Sequence, residues 1–477
     1  MEPTIALQCS KILCLSYDNL PLRLKPCFLY IAAFPEDLEI NVSKLINLWV
    51  AEGFVTPNDQ SKCLEDAAEG YLEDLVHRSL ILVNKIGMDG KIETVGIHDL
   101  LREICITKAE EEGFLHVSSK KGNPIRRISI HCMHDYDQQW PIEDPRVRSV
   151  LLFPKKDLVS IISQSCRSLS ILEASQVTFL NFADVISTFV NLRYICFALN
   201  DASCPLGFPA SIFKLPNLQT IIVHISPSLE CREVDGEIWK MPKLRHLIMD
   251  CPLSLSHPFD MGIVSASNLQ TLDEVMNLRF TDEAVKMFVN LKKLRVVSTM
   301  FRDNWDDFNL DNLVRLENLR ELRVCVHKLT NLSGLWDHCF PISLNKLSLF
   351  GVPLPWKNMS IIGSLPNLQE LQMMSVDVAE ASEWTPVEGQ FLQLKYFHSS
   401  FDNLVKWEVE KEHFPSLERL ILESVWCLDE IPCEIGKMDS LQIIELWECH
   451  SSLAVSAQLI QKDQHENGND TFQVLVK

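Results

Sequence analysis

Residues 317–326 read Glu-Asn-Leu-Arg-Glu-Leu-Arg-Val-Cys-Val, and their Asn-Leu-x-x-Leu-x-Val spacing decides the fold. Related phrases recur along the chain, each leading Leu lying 22 to 28 residues after the one before it. An apolar residue follows three positions later in all eleven phrases and five positions later in nine, the exceptions being Glu274 and Ser399. The leading residues are Leu192, Leu218, Leu244, Leu269, Leu291, Leu319, Leu344, Leu368, Leu394, Leu417 and Leu441.

This spacing predicts a short strand in each phrase, because alternate residues of a strand point to the same face. A single strand cannot bury that face, whereas stacked neighbours can. We therefore predict an α/β leucine-rich-repeat solenoid, a horseshoe of about twelve irregular repeats over residues 166–450, with Leu169 leading an early one. A Leu-rich helical protein would instead show a 3.6-residue period. An Asn is expected after each strand of such a repeat but occurs irregularly: Asn200 occupies that position in one repeat, whereas Val352 occupies it in another.

The first and second positions after each leading Leu are predicted to face the concave surface of the array. They hold eight basic and three acidic residues, in a chain whose net charge is −20. Ordinary solvated strand residues would explain this count. The sharper hypothesis is a basic stripe that receives an acidic partner, one candidate being the chain's own amino-terminal domain. The basic residues are Arg193, Arg245, Lys292, Lys293, Arg320, Lys346, Lys395 and Arg419.

The first 125 residues lack the repeat and predict helices followed by a hairpin. In residues 33–55, Asn41 or Ser43 can cap a helix whose buried face holds Leu48 and Trp49, and Gly53 suits its left-handed exit. Two apolar-alternating runs flank Asp89-Gly90, a hairpin signal. This order predicts a mainly α winged helix. DNA reading is disfavoured, because the third helix offers a single Lys and phosphate contact needs cations.

Composition limits the cellular context. The 16 Cys form no Cys-x-x-Cys pair, which disfavours a zinc ribbon. No signal peptide and no apolar run of membrane-spanning length is visible, so we expect reduced Cys in a cytoplasmic protein, with a nuclear or peripherally membrane-associated pool compatible. The predicted divisions are residues 1–125 for the winged helix, 126–165 for a linker with the first strands, 166–450 for the repeats and 451–477 for a cap or tail.

The chain resembles plant intracellular immune receptors of the nucleotide-binding, leucine-rich-repeat type. Residues 15–55 are similar to the winged helix of the family's second ARC subdomain, and 238–247 and 468–477 resemble the solanaceous late-blight-resistance branch. The motifs that continue the resemblance in family order are "EDAAEGYLEDLVHRSLI" (65–81), "IHDLLREIC" (97–105), "RRISIH" (126–131) and "RSVLLF" (148–153). The resemblance implies a role in plant defence, leading to the hypersensitive response.

Ile97-His98-Asp99 stands where the family has its Met-His-Asp motif. The resemblance implies that His98 approaches the β-phosphate of ADP and that His98 and Asp99 sense the nucleotide in an ADP/ATP switch. Asp99 is also a candidate cap for the helix that follows. The phosphate-binding Gly-x-x-x-x-Gly-Lys-Ser/Thr loop does not occur in the sequence. We therefore expect a chain truncated relative to the family, with no cofactor, no ATP hydrolysis and no tight ADP binding by itself.

The leading hypothesis is a receptor part whose repeats recognise a pathogen effector or a guarded host protein, with the winged helix contacting a nucleotide-binding domain in the same chain or in trans. The alternative is an F-box-like adaptor of a ubiquitin ligase, because "LPLRLKPCFLYIAAFPEDL" superficially resembles an F-box opening. An extracellular receptor would need a signal peptide and paired Cys. An enzyme is the least favoured reading, since no catalytic or metal-binding pattern stands out.

Overall fold

The structure is a computed structural model, and it divides into two compact units, Met1–Cys251 and Pro252–Lys477. It describes residues 14–57, 63–87, 90–118, 126–131, 144–153, 166–178, 186–199, 209–225, 233–255, 267–276, 278–298, 310–326, 340–352, 354, 356–376, 382–401 and 403–477. Asp89 and Asn200, two residues used in the sequence predictions, lie outside these ranges.

The first unit begins with helices and a small antiparallel sheet. A helical turn over 14–18 and a 3-10 turn Ile31–Ala33 accompany four helices. These are α1 (Lys25–Tyr30), α2 (Val42–Glu52), α3 (Leu64–His77) and α4 (Asp99–Glu111), with strands β1 (Ile40–Asn41), β2 (Leu82–Ile86) and β3 (Ile92–Gly96). The sheet order is β1-β3-β2. The predicted two-stranded wing is confirmed as the antiparallel pair β2–β3. Strand β1, which was too short to show an alternating pattern, adds a third strand beside β3.

Local sequence explains the ends of α2. The Asn41 side chain accepts a hydrogen bond from the Lys44 N–H, and Gly53 ends the helix in the left-handed region at φ 79°. Both features match the sequence prediction, as does the complete burial of Leu48 and Trp49. The helix therefore buries one face in the winged-helix core, where each fully buried apolar side chain contributes roughly 1.5–3 kcal/mol.

Parallel strands follow within the same unit. They are β4 (His116–Ser118), β5 (Arg127–Ile130), β6 (Ser149–Leu152), β7 (Ile171–Thr178), β8 (Tyr194–Leu199), β9 (Thr220–Ile225), β10 (Glu233–Val234) and β11 (His246–Met249). Successive strands from β4 to β9 pair in parallel, and β9 pairs with β11. Two 3-10 helices, Ala210–Lys214 and Gly236–Lys240, lie between the last strands. The parallel sheet thus begins at His116, ahead of the predicted division at residue 126.

The second unit continues the repeats. Its strands are β12 (Leu253–Leu255), β13 (Thr271–Met276), β14 (Lys293–Ser298), β15 (Glu321–Val326), β16 (Lys346–Phe350), β17 (Glu370–Val376), β18 (Ser382–Trp384), β19 (Tyr396–Phe401), β20 (Leu404–Trp407), β21 (Arg419–Glu423), β22 (Ile443–Trp447) and β23 (Gln473–Val476). Its helices are α5 (Asp282–Met287), α6 (Met359–Gly363) and α7 (Ser451–Glu466), with 3-10 turns Leu310–Arg315, Trp356–Asn358 and Cys433–Lys437.

The register of the second unit places equivalent Leu residues side by side. Leu294 pairs with Leu322, and Leu322 pairs with Leu347. All three are buried. A separate two-stranded sheet joins β18 to β20. The last strand, β23, pairs in parallel with β22, so the sheet continues into the segment predicted as a cap or tail. The leucine-rich-repeat fold with an amino-terminal winged helix is confirmed.

The Asn before the leading Leu has a role that the pattern alone did not reveal. The Asn191 side chain donates to the Arg167 carbonyl at 3.0 Å, and Asn318 donates to the Val289 carbonyl at 2.9 Å. Ser343 replaces Asn in its repeat and donates to the Leu319 carbonyl at 2.8 Å. Each side chain thus reaches one repeat back and satisfies a backbone oxygen that a turn leaves unpaired. This ladder links successive repeats.

The structure accommodates in different ways Glu274 and Ser399, the two polar residues at an otherwise apolar repeat position. The pairing of β13 with β14 shifts between Leu272 and Val275, and Glu274 adopts a positive φ of 55° within this bulge. The bulge moves the buried position to Val275. Ser399 remains in line and fully buried, and its hydroxyl donates to the Met373 carbonyl at 3.2 Å. A polar residue is tolerated there because its hydrogen bond is satisfied.

Candidate functional site

The winged helix packs on the first repeat strands within the first unit. One continuous apolar core contains residues of α1 to α4 together with strand residues Leu151, Ile171 and Tyr194. We name the polar contacts around this core the docking interface. It consists of three carboxylate clusters centred on Glu52, Glu173 and Glu65.

The first cluster lies at the end of α2. Arg127 Nε donates to Glu52 Oε2 at 2.9 Å, and the Ser149 hydroxyl donates to Glu52 Oε1 at 2.6 Å. The Arg127 guanidinium lies 4.9 Å from the Phe54 ring centroid and 4.4 Å from that of Phe114. Stacking on two aromatic rings holds a guanidinium in place. The end of α2 is therefore fixed to strands β5 and β6 by a positioned ion pair.

The second cluster joins the start of α2 to strand β7. Lys44 Nζ lies 2.8 Å from Glu173 Oε1, and the Tyr194 hydroxyl donates to Glu173 Oε2 at 2.7 Å. The Ser175 N–H donates to Glu173 Oε1 at 3.3 Å. The Glu173 side chain is fully buried. Burial by itself raises the pKa of this carboxyl, but the Lys44 ammonium and the hydrogen bonds outweigh it, so the pKa of Glu173 is lowered.

The third cluster joins the first turn of α3 to strand β11 and the residue before it. Arg245 donates through Nε and Nη2 to the two oxygens of Glu65, at 2.7 and 2.5 Å, and His246 Nε2 lies 3.2 Å from Glu65 Oε1. Burial raises the pKa of Glu65, but hydrogen bonds from His246 and Arg245 more than offset this effect and leave the pKa far below its usual range. A bidentate pair of this kind also fixes orientation.

Such an interface is well suited to switching. Breaking a buried ion pair by removing one partner costs several kcal/mol, whereas exposing both partners to water restores their hydration. Loss of one member of a cluster should therefore weaken the contact between the winged helix and the strands sharply. The sequence prediction did not include Glu52, Glu65, Lys44, Glu173 or Arg127. One signal was present, since Glu173 lies between apolar residues in "SILEA", where an unpaired charge would be costly.

Two of the predicted concave-face cations lie at this interface. Arg245 makes the bidentate contact with Glu65, and Arg193 Nη1 lies 3.5 Å from the Ala51 carbonyl oxygen of α2. The structure therefore places both against the amino-terminal domain.

The predicted cations of the second unit lie mostly in ion pairs between strands. Lys293 pairs with Glu321, Lys346 with Glu370, Lys395 with Glu418 and Arg419 with Glu445, while Arg320 is exposed and Lys292 is half-buried. The sequence prediction counted charges only at the first two positions after each leading Leu. It therefore omitted acidic residues further along the strands, such as Glu445. In the second unit, the positions predicted to face the concave surface therefore lie among paired charges of both signs and do not form a uniform basic stripe.

His98 and Asp99 follow the wing directly, where the hairpin enters α4. His98, not Asp99, is the cap, because its Nδ1 accepts a hydrogen bond from the Leu100 N–H at 3.3 Å. Asp99 is instead the first helical residue, where a carboxylate interacts favourably with the helix dipole. Both side chains are exposed. A neutral imidazole that accepts at Nδ1 carries its proton on Nε2, so His98 presents a donor to the outside.

Comparison with known proteins agrees with this architecture. Residues 33–105 match the family described as the disease resistance protein winged helix domain. A putative late blight resistance protein homolog from Solanum demissum is 31% identical over 97% of this chain and 37% of its own length. Late blight resistance protein R1-A of the same species is 32% identical over 96% of this chain and 37% of its own. The chain is thus similar to late blight resistance proteins over nearly all of its own length.

The chain spans a little over a third of the length of these relatives. Among solved structures, a leucine-rich-repeat protein of Leptospira interrogans is similar at 18% identity and a TM-score of 0.42, covering 69% of this chain and 84% of that one. Of the helices that the structure describes, none has both the length and the apolar character that a bilayer span requires. Within the same described residues, no group of His, Cys, Asp and Glu side chains is arranged to hold a metal ion.

Proposed function

We propose that this chain is the regulatory and recognition part of a plant disease resistance receptor. The single observation that carries the proposal is the docking interface, in which three carboxylate clusters join the winged helix to the first repeat strands. The homology to late blight resistance proteins supports the same role. Binding of an effector or a guarded host protein to the repeats would shift the balance between docked and undocked states, provided that the ligand prefers one of them.

The nucleotide part of the proposal rests on His98. Its exposed position after the wing and its outward Nε2–H fit a hydrogen bond to a phosphate oxygen. A single donor at a helix start does not make a nucleotide site, so tight ADP or ATP binding is proposed only together with a nucleotide-binding domain, in the same chain or in trans. That nucleotide would bridge the domain and the winged helix, and His98 would report its presence.

We further propose that the chain is not an enzyme and that it works in the cytoplasm. The charged side chains of the docking interface are paired with one another, as Arg127 is with Glu52, and these pairs hold two structural elements together. An arrangement of this kind serves recognition and switching. Its readout would be the hypersensitive response of the receptor.

A charge exchange at the third cluster tests the proposal. Glu65→Arg and Arg245→Glu each place like charges at contact distance, so each should raise hydrogen exchange in α3 and in β11. Each should also trigger cell death when the chain is co-expressed in leaves with the nucleotide-binding part of a late blight resistance relative. The double exchange restores opposite charges and should return both readouts toward the parent protein.

Lys437→Glu is the matched control. Lys437 pairs with Glu434 on the surface of the second unit, so the same charge reversal should leave hydrogen exchange in α3 unchanged. The role of the docking interface is refuted if the single variants open α3 without any change in cell death. It is also refuted if the double exchange remains as open as the single variants.

A further inference from the structure

Two adjacent strands of the second unit carry like charges side by side. In β14 and β15, Arg295 lies directly opposite Arg323 in the parallel ladder. The residues just ahead of these strands repeat the arrangement, since the Arg320 N–H donates to the Lys292 carbonyl at 2.8 Å. Like charges directly opposite each other destabilise a sheet. The chain therefore keeps an unfavourable electrostatic arrangement at this place.

Carboxylates of the repeats neutralise only part of this charge. Residues 292–298 and 320–326 together hold five Lys or Arg and the single acid Glu321. Lys293 Nζ lies 3.4 Å from Glu321. Arg295 lies near two carboxylates of the preceding strand, with Nε 3.2 Å from Asp273 and Nη1 3.9 Å from Glu274. Among the residues that the structure describes, neither Arg320 nor Arg323 has a carboxylate within ion-pair distance.

Arg323 is half-buried, and its guanidinium stacks on an aromatic ring. Its guanidinium carbon lies 4.4 Å from the ring centroid of Phe350, which is half-buried beside Cys325. Stacking on an aromatic ring leaves the edge of the guanidinium, with its N–H donors, available for bidentate contact. Arg323 Nε is buried without a hydrogen-bond partner in the described part of the chain. Because Nε is buried, a ligand would contact this guanidinium through its Nη groups.

We propose that β14 and β15, with Phe350, form a binding surface for an acidic segment of a partner protein. The proposal rests on the proposed function, because it assigns the chemistry and the place of partner recognition by the repeats. Carboxylates of the partner would contact Arg320 and Arg323, and an apolar side chain would pack beside Phe350. A protein is favoured over a nucleic acid, because Glu321 and Asp273 interrupt the cations and would repel a continuous phosphate backbone.

The variant Arg320→Gln with Arg323→Gln separates binding from stability. It removes one member of each like-charged pair, so the melting temperature should stay the same or rise. Binding should weaken by about tenfold or more, because two charge-assisted contacts are lost. A purely structural role for these arginines would instead lower the melting temperature.

The probe is a fluorescent peptide in which Glu and Ser alternate, titrated against the full chain by anisotropy at two salt concentrations. A peptide alternating Lys and Ser and an oligothymidylate serve as comparison probes. Arg315→Gln is the matched control, since Arg315 belongs to the 3-10 turn of the same repeat and pairs with Asp282. It should bind the acidic peptide like the parent protein.

The proposal is overturned if the acidic peptide does not bind, if the double variant binds it equally well, or if the oligothymidylate binds more tightly. The assay reads peptide binding to the full chain, and the Arg320 and Arg323 variants assign that binding to the second unit. A negative result therefore leaves the docking interface unaffected, and failure of the Glu65 and Arg245 exchange leaves this surface unaffected.

Discussion

Two glutamates at the same repeat position show how the two units differ. Glu173 and Glu445 each lie four residues after a leading Leu, and both are fully buried. Glu445 is neutralised within the repeats, by Arg419 and by Lys477 at 3.0 Å. Glu173 is neutralised by Lys44, which belongs to the winged helix. Glu445 thus finds its countercharges within the second unit, whereas Glu173, in a first-unit repeat, depends on a different domain.

The winged helix therefore supplies a cation that neutralises a buried carboxylate of the first repeats. A buried carboxylate without its cation is costly, so undocking must be accompanied by hydration of Glu173. Nothing comparable is required at Glu445. In the first unit, separating the winged helix from the strands would therefore change stability.

Removing the cation from each glutamate should give the largest contrast. Lys44→Met leaves the Glu173 carboxylate buried with only neutral donors, so the free energy of unfolding of the first unit should fall by about 3–5 kcal/mol. Lys477→Met should cost far less, because Arg419 and the Trp447 indole still contact Glu445. Urea denaturation followed by hydrogen exchange of β7 and β22 measures both effects.

The double variant Lys44→Met with Glu173→Gln sharpens the same test. Gln keeps an acceptor for the Tyr194 hydroxyl and needs no cation, so most of the lost stability should return. If the double variant is as unstable as Lys44→Met, packing around Lys44 rather than its charge explains the loss.

Acidification should change stability by an intermediate amount. The shifted carboxyl groups should destabilise the first unit and stabilise the second as the pH falls. The lowered pKa of Glu173 and of Glu65 means that their contribution is present above the unfolded carboxyl pKa of about 4.3 and is lost as pH falls through the folded values. Burial raises the pKa of Asp273, with Arg295 only partly opposing it. Its contribution is present below about pH 3.9 and is lost as pH rises through its raised value.

Hydrogen exchange of β7 and β13, corrected for intrinsic rates, should therefore diverge as pH is lowered from about 6 to about 3. Protection of β7 should decrease, while Asp273 should favour protection of β13. Glu173→Gln and Asp273→Asn should each flatten the response of their own strand. Identical pH profiles of the two strands in the parent protein would contradict the assignment.

The smallest effect is expected at the surface pair that corresponds to Arg245. Lys395 occupies the same repeat position as Arg245, but its partner is Glu418 of the next repeat, at 2.9 Å and with both side chains substantially exposed. Lys395→Ala should lower the free energy of unfolding by less than about 1 kcal/mol. Calorimetry measures this loss of unfolding free energy. If it is as large for Lys395→Ala as for Arg245→Ala, burial does not distinguish the Lys395–Glu418 pair from the Arg245–Glu65 pair.

Local features were predictable because they depend on neighbours in the chain. The cap at Asn41 and the exit at Gly53 follow from residue types within one helix, and the buried Leu residues follow from spacing alone. The bulge at Glu274 was not predictable, since it depends on how β13 pairs with β14. The cap at His98 was missed because imidazole is a rarer cap than the carboxylate beside it.

The sequence by itself determined the repeat, its buried face and the winged helix, since each rests on periodicity or on contacts within a few residues. Only the tertiary structure decided which charges meet. Lys44 and Glu173 lie 129 positions apart, and Arg245 and Glu65 lie 180 apart. No local pattern encodes such pairs, because the distance between two charges, and hence their energy, exists only once the winged helix lies on the strands.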